Sequence, residues 1–490
     1  MLKKLIQPFN LFIIIFLILA IVVRVYRIDE LLAFHYDQGR DALVIWDLIK
    51  NGNWFLIGPT TGIEGIFRGP FYYYLITPFY FLGQGNPVFP AIFLIILSVF
   101  ALWVMYKIAV EVGGKTAGII ALILAGFSYE IIYASRWLSN PTPMLFLSMG
   151  LVWSIFRIYE GNKKYWILLG LILGLSVFHF GGSGEIFYFP AILILFLLKK
   201  EVRPDRDTFL KSIGAFLISF LPLFIFDLKH NGILRNNILS FLGESKAFSL
   251  PSFQFLYERF SLILAHFTNL LFHEQFFREK VWLTTLLIII IYFSKKVIIG
   301  SDKLKIVSFF LLSPVFGFLF FQGNYGQVYG YYLTGYYLIF FIFIGVFLGY
   351  FFKKSLFGKI FVIGFLIFYL SQNLEQTNKM LTTKLSGDNA IVLGNQLKAV
   401  EYIYSDAKDE KFNVDVYVPP VIPYSYDYLF TWKSNLNKVN EQVDKLYTLY
   451  EIDDTHPDRL NAWMKRQAGI GKIIKEEKFG GIVVQARERI

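Results

Sequence analysis

The sequence predicts an all-α polytopic membrane protein of about eleven transmembrane helices, followed by a small C-terminal α/β domain outside the membrane. Three observations predict it. Hydrophobic residues make up 56% of the 490 and charged residues only 17%, with a mean hydropathy of +0.53, which is not the composition of a water-facing surface. The apolar residues fall in many runs of fifteen to twenty, the length that carries a helix across a bilayer core about 30 Å thick. Lys and Arg gather in alternate loops, as cytoplasmic loops require. Soluble, fibrous and disordered classes are thereby excluded. So is a transmembrane β-barrel, whose strands would be about ten residues long and strictly alternating.

The elements follow in order. Lys3 and Lys4 precede an apolar run that ends near Arg24-Val25-Tyr26-Arg27 with no cleavage pattern behind it. It reads as a retained signal anchor with a cytoplasmic N-terminus. A polar stretch occupies 29–68, and further spans are expected near 87–108, 116–134, 142–160, 164–180, 184–198, 208–226, 281–294, 304–321, 331–352 and 356–371. The weakest point is 165–198, where Gly181-Gly182-Ser183-Gly184 divides two short arms. Two spans are expected there, because glycine-rich backbone at membrane depth is tolerated beside a cavity. The segments 71–82 and 253–277 are expected to lie as interfacial helices on the outer face.

The domain division expected is 1–371 for the membrane part, with outer loops 29–86 and 227–280, and 372–490 for an extracytoplasmic domain. In that tail, 392–404 has helical spacing, while 411–418 and 481–484 read as strands. Charge supports the division. Residues 1–371 hold 31 Lys+Arg against 19 Asp+Glu, and residues 372–490 hold 16 against 17. The basic excess thus belongs to membrane loops, and no nucleic-acid partner is expected. The absence of cysteine excludes disulfides, Cys-ligated metal and thiol nucleophiles.

Ionisable groups in and beside a membrane are costly and tend to be functional. The densest group follows the first span: Asp37-Gln38-Gly39-Arg40-Asp41-Ala42, then Gly52-Asn53-Trp54, then Arg68-Gly69-Pro70. Asp37 can either cap a helix or serve as a general base in a cavity at the outer surface. Asp41, four residues on, shares its helical face. Arg68 and Arg136 are cations suited to a phosphate or to ordinary snorkelling. Gly113-Gly114-Lys115 lacks phosphate-loop spacing, so a nucleotide-sugar donor is not expected.

This first-loop pattern resembles that of GT-C superfamily glycosyltransferases, most closely the branch of protein O-mannosyltransferases and lipid A aminoarabinose transferases. In that branch an Asp-Glu pair opens the loop helix; Asp37 matches the Asp, and Gln38 stands in place of the Glu. Ser135-Arg136-Trp137-Leu138-Ser139-Asn140-Pro141 is similar to a third-loop stretch, with Asn140 where an acid is common. Phe178-His179-Phe180 and Tyr331-Tyr332-Leu333 resemble outer-end motifs of two later spans.

The resemblance implies transfer of one sugar, with inversion, from a polyprenyl-phosphate donor to a lipid, glycan or protein acceptor on the outer face of a plasma membrane. It implies Asp37 as the catalytic residue, with Arg40, Asp41, Arg68, Arg136, His179, Tyr331 and Tyr332 around the substrates. Arg and Lys alone can handle a monophosphate leaving group, so no cofactor and no obligatory metal are expected; a metal-dependent alternative would use Asp37 with Glu64. A multi-pass transporter or lipid-linked glycan flippase is the alternative reading of so many spans. It leaves the first-loop pattern without a purpose and lacks the internal repeats of that class.

Overall fold

The computed structural model describes residues 8–61, 65–244, 252–321, 327–419, 422–433 and 437–490. Lys3, Lys4, Glu64 and most of the 322–330 loop lie outside them. The membrane part comprises α1 (Pro8–Val25), α2 (Tyr36–Asn51), α3 (Phe71–Leu82), α4 (Val88–Gly113), α5 (Lys115–Phe127), α6 (Tyr129–Arg136), α7 (Met144–Tyr159), α8 (Tyr165–Leu175), α9 (Tyr188–Leu198), α10 (Arg206–Lys229), α11 (Ile233–Glu244), α12 (Phe253–Asn269), α13 (Phe277–Ile299), α14 (Asp302–Phe320), α15 (Thr334–Lys354) and α16 (Leu356–Leu381). Among the described residues six stretches are long and apolar enough to cross a membrane, namely α4, α10, α13, α14, α16 and Gly330–Lys354, while α1, α7 and the arms Tyr165–Phe180 and Gly184–Leu198 are shorter apolar helices.

The expected span at 116–134 is instead a bent pair, α5 and α6, which turn by 60°. Ser128 adopts extended backbone at the bend, its hydroxyl caps α6 by accepting from the Ile131 N–H at 3.4 Å, and it donates to the Leu270 carbonyl at 2.8 Å. Asn373 accepts the Tyr129 N–H at 2.8 Å. The local Ser128 hydroxyl and the distant Asn373 side chain thus satisfy N–H groups that the bend frees, which is the condition for breaking a helix in an apolar medium.

The 165–198 stretch is a hairpin. The Trp166 ring at its start packs edge-on against Phe196 near its end, with centroids 5.5 Å apart, and the Trp166 indole donates to the Val202 carbonyl at 2.9 Å. The ends of neighbouring helices gather on the same face. Glu111 of α4 pairs with Arg157 of α7 and Lys303 of α14, and Glu160 bridges the same two cations at 2.6 Å each. These belong to the loops that charge assigned to the cytoplasm.

The opposite face carries the tail. The helix α16 runs on to Leu381, past the expected boundary at 371, because Asn373 and Thr377 on its polar extension are buried against the bundle. Beyond it come α17 (Leu393–Ala407), β1 (Asn413–Tyr417), α18 (Tyr424–Trp432), β2 (Lys445–Glu451), α19 (Pro457–Ala468), β3 (Gly471–Phe479) and β4 (Ile482–Arg489). The sheet has the order β1-β2-β4-β3, parallel between β1 and β2 and antiparallel elsewhere. This tail packs onto the first loop. Gln396 donates to the Phe34 carbonyl at 2.9 Å, Trp432 donates to the Gln84 carbonyl at 2.8 Å, and the Tyr36 and Tyr424 rings lie 4.9 Å apart.

Candidate functional site

The helix α2 is opened by Gln38, not by Asp37. The buried Gln38 accepts the His35 N–H at 3.1 Å and donates to the Leu138 carbonyl at 3.3 Å. A glutamate could accept the first bond but could not donate the second, which accounts for glutamine here. Asp37 is therefore free of capping duty. Its side chain is 57% exposed and meets Arg40 at 2.9 Å. Arg40 also binds the buried Asp41 through Nε at 3.0 Å and Nη2 at 2.8 Å.

Arg68 is presented by a tight hairpin. Gly58 donates to the Arg68 carbonyl at 2.7 Å, Arg68 donates its N–H to Pro59 at 2.9 Å, and Thr60 bridges Phe67. The next residue must be glycine: a Cβ on Gly69 would lie 2.0 Å from the His179 ring. His179 is fully buried beneath the hairpin, its Nδ1 accepting the Phe71 N–H at 3.3 Å and its Nε2–H donating to the Ser219 carbonyl at 2.6 Å. These two bonds select the Nε2–H tautomer. The Arg68 guanidinium makes no hydrogen bond or ion pair with any described residue. Burial pulls its pKa below the ordinary value, and the nearby Glu185, Tyr331 and Tyr332 oppose that shift.

Asp37, Arg40 and Arg68 line one cavity of about 680 Å³. Its lining adds Thr60, Thr61, Ser139, Asn140, Ser183, Asp227 and Arg235 as polar and charged residues, with Trp137, Tyr331 and Tyr332 among the aromatic ones. Trp137 stands edge-on to Tyr331 at 5.7 Å. The remaining wall is apolar, from Val177, Phe178, Ile186, Phe187, Phe220, Leu223, Leu234 and Ile238. A chamber lined by both charges and hydrocarbon suits an amphiphile with a polar head and a greasy chain.

The glycine turn between the hairpin arms builds one wall. A Cβ on Gly184 would lie 2.1 Å from the Tyr332 carbonyl, so only glycine lets Tyr332 approach. Glu185, buried in the same turn, accepts the Gly335 N–H at 3.1 Å and leaves its other oxygen without a hydrogen-bond partner among the described residues.

Three expected site residues are placed elsewhere. Arg136 is buried outside the cavity lining and donates through Nη1 to the Arg24 and Tyr26 carbonyls at 2.6 and 3.0 Å, which ends α1. His179 supports the Arg68 hairpin from behind. Asp41 lies beneath the cavity and receives the Tyr73 hydroxyl at 2.7 Å. Residues that sequence reasoning missed are Arg235 and Glu185. Arg235 follows Asp227, whose carboxylate accepts the Leu234 and Arg235 N–H groups at 2.8 and 3.1 Å, a helix-starting pattern present in the sequence. Among the described residues no group of three or more His, Cys, Asp or Glu side chains is gathered to hold a metal. Glu64 lies outside the described residues.

Residues 68–227 match the family model of dolichyl-phosphate-mannose-protein mannosyltransferases. Over nearly the whole chain the structure is similar to ArnT from Cupriavidus metallidurans, with TM-score 0.62 and 10% identity across 98% of each chain. The chain has the GT-C glycosyltransferase fold. Family match and fold agree on a membrane glycosyltransferase. ArnT bound to undecaprenyl phosphate gives a TM-score of 0.60 at 11% identity, covering 97% of this chain and 98% of that one. The oligosaccharyltransferase of Archaeoglobus fulgidus tethered to an acceptor peptide gives 0.49 at 12%, covering 96% of this chain and 73% of that one. Comparison with curated proteins by sequence finds no match. The family match begins at Arg68 and runs to Asp227, both of which line the cavity.

Proposed function

We propose that this GT-C glycosyltransferase moves one sugar from a polyprenyl-phosphate donor to an acceptor on the outer face of the membrane, inverting the anomeric centre. One observation carries the reading: a single cavity joins an accessible carboxylate, Asp37, and a guanidinium, Arg68, that makes no hydrogen bond or ion pair among the described residues, to apolar lining. The complex of ArnT with undecaprenyl phosphate, a similar fold, supports the same donor class.

The chemistry is a direct displacement. Asp37 takes the proton of an acceptor hydroxyl or amine, the acceptor atom bonds to the anomeric carbon, and the carbon–oxygen bond to the lipid phosphate breaks. The phosphate leaves with the electron pair, and Arg68 meets the charge that develops on it, in a cavity where such stabilisation is stronger than in water. Arg235, also in the lining, supplies a further cation. The apolar wall holds the start of the prenyl chain, and Trp137 with Tyr331 offers ring faces to a sugar.

The same reading takes α1, α4, the bent pair α5–α6, α7, the two arms of the hairpin, α10, α13, α14, Gly330–Lys354 and α16 as eleven spans. The N-terminus is then cytoplasmic, and the tail faces outward with the cavity. Reporter fusions at Lys200 and Ile490 should report opposite sides; matching sides would contradict this topology. The enzymatic test uses purified protein in lipid with a radiolabelled polyprenyl-phosphate sugar and an envelope extract as acceptor source. Wild type should transfer label, and Asp37→Asn should insert and fold yet transfer none. Equal transfer by both would remove Asp37 as the base.

A further inference from the structure

The first loop carries two carboxylates one helical turn apart, and only one of them faces the cavity. Asp37 is exposed and lines it; the Asp41 side chain is 8% exposed and does not. A single Asp41 oxygen, Oδ1, receives three donors: Arg40 Nε at 3.0 Å, Arg40 Nη2 at 2.8 Å and the Tyr73 hydroxyl at 2.7 Å. A guanidinium is a rigid planar fork. Fixing Nε and Nη2 on Asp41 therefore fixes where the third nitrogen points. That nitrogen, Nη1, reaches Asp37 at 2.9 Å and the Thr60 hydroxyl at 2.9 Å.

The two anchors beyond Arg40 belong to the other half of the site. Thr60 is in the hairpin that presents Arg68, and Tyr73 is in the first turn of α3, directly behind Arg68-Gly69-Pro70. The network thus runs from the carboxylate that would accept the proton to both sides of the cation that would receive the phosphate. Nothing else among the described residues hydrogen-bonds the α2 side chains to that hairpin.

We propose that Asp41 is a positioning residue: it holds Arg40 against Asp37 and, through Tyr73, sets the base helix at a fixed distance from the hairpin carrying Arg68. This rests on the transferase reading of the cavity. The expected signature is in turnover, because donor binding at Arg68 and the apolar wall is left in place while the reacting groups lose their alignment. Misplacement by about 1 Å is enough to cost on the order of 100-fold in rate.

The test is steady-state kinetics on wild type, Asp41→Asn, Tyr73→Phe and the double variant, in lipid, with a polyprenyl-phosphate sugar as the varied substrate. Asp41→Asn should lower kcat by about 10- to 100-fold with donor KM within about twofold of wild type. Tyr73→Phe should lower kcat by a smaller factor, and the double variant should be no worse than Asp41→Asn alone, since Tyr73 acts through Asp41. Unchanged kcat in Asp41→Asn, losses that multiply in the double variant, or loss confined to KM would overturn the proposal. Activity abolished as fully as in Asp37→Asn would also overturn it, by making Asp41 a catalytic residue. If thermal unfolding shows that Asp41→Asn does not fold, Tyr73→Phe, which removes one hydroxyl, decides by the same split. A wild type that transfers nothing overturns the transferase reading and this proposal together, whereas an active wild type with fully active Asp41 and Tyr73 variants overturns the positioning role alone.

Discussion

Asp37 and Arg68 face the same cavity from two separate elements, Asp37 from the first turn of α2 and Arg68 from the hairpin ahead of α3. Among the described residues Asp37 pairs with Arg40, and Arg68 makes no hydrogen bond or ion pair, with Glu185 near it. Such a pair of groups is arranged for a substrate that brings a proton to one end and an anion to the other.

Removing the cation should therefore be felt in the reaction. Arg68→Ala is expected to lower kcat/KM for the lipid-phosphate donor by about 100-fold or more, and Arg68→Lys should restore part of it, because a point charge replaces a fork. Kinetics with varied donor checks this; an Arg68→Ala enzyme with wild-type kcat/KM would contradict it.

Asp41 gives a pH dependence. Burial raises its carboxyl from the ordinary 3.8 to about 6, against the pull of Arg40 and Tyr73. Above about 6 it is charged and holds Arg40; below, it is neutral and lets go. Activity should rise as pH climbs through about 6, and Asp41→Asn should flatten that limb of the profile. Stability runs the other way: the folded state binds this proton more tightly than the unfolded chain, so stability falls as pH rises from 3.8 to about 6, by about 3 kcal/mol in all. A pH–rate profile identical in wild type and Asp41→Asn would contradict the assignment.

The tail braces α2. A Cβ on Gly39 would lie 2.2 Å from the Ser425 nitrogen and 2.4 Å from its Cα, both backbone atoms of α18 that cannot swing aside. Gly39→Ala should destabilise the protein by about 1–3 kcal/mol and lower activity with it. A thermal unfolding midpoint equal to that of wild type would contradict this close approach.

Glu451, at the end of β2, is buried and receives the Tyr426 hydroxyl at 2.9 Å. Burial raises its pKa to about 7. Its stabilising proton is lost as pH rises from the ordinary 4.5 to about 7, so wild type should lose stability across that window. Glu451→Gln should remove the Glu451 share of the slope, most visibly between about pH 6 and 7 where Asp41 has already titrated, and be the more stable protein above pH 7. Parallel melting curves for the two proteins from pH 5 to 8 would refute this.

The helices of the membrane part were legible because their apolar runs are long and basic residues gather in alternate loops between them. The bend at Ser128 was not, since it depends on Asn373 and the Leu270 carbonyl, which meet it only in three dimensions. In the tail, β1 and α17 showed their periods. β3 did not: Lys472 to Lys478 are exposed along an edge strand, so no buried face imprints an alternation.

At the site, Asp37 and Arg68 stood out as charges beside an outer loop helix. Arg136 stood out for the same reason, yet its partners are backbone carbonyls at the end of α1, which no side-chain pattern announces. His179 was read as a group near the substrates and is instead the post beneath Gly69. Charge near a membrane marks a residue as constrained; only the fold separates constraint by a ligand from constraint by the protein's own backbone.

The central claim is that the cavity holds a lipid phosphate between Asp37 and Arg68. The most direct measurement is a density map of the protein in lipid with added polyprenyl phosphate. A phosphate should lie on the Arg68 guanidinium, within reach of the space in front of Asp37, with a prenyl chain along Phe178, Phe187 and Phe220. Lipid bound elsewhere with this cavity empty, or a continuous polar path opening through the bundle to the face of Glu111 and Lys303, would contradict it.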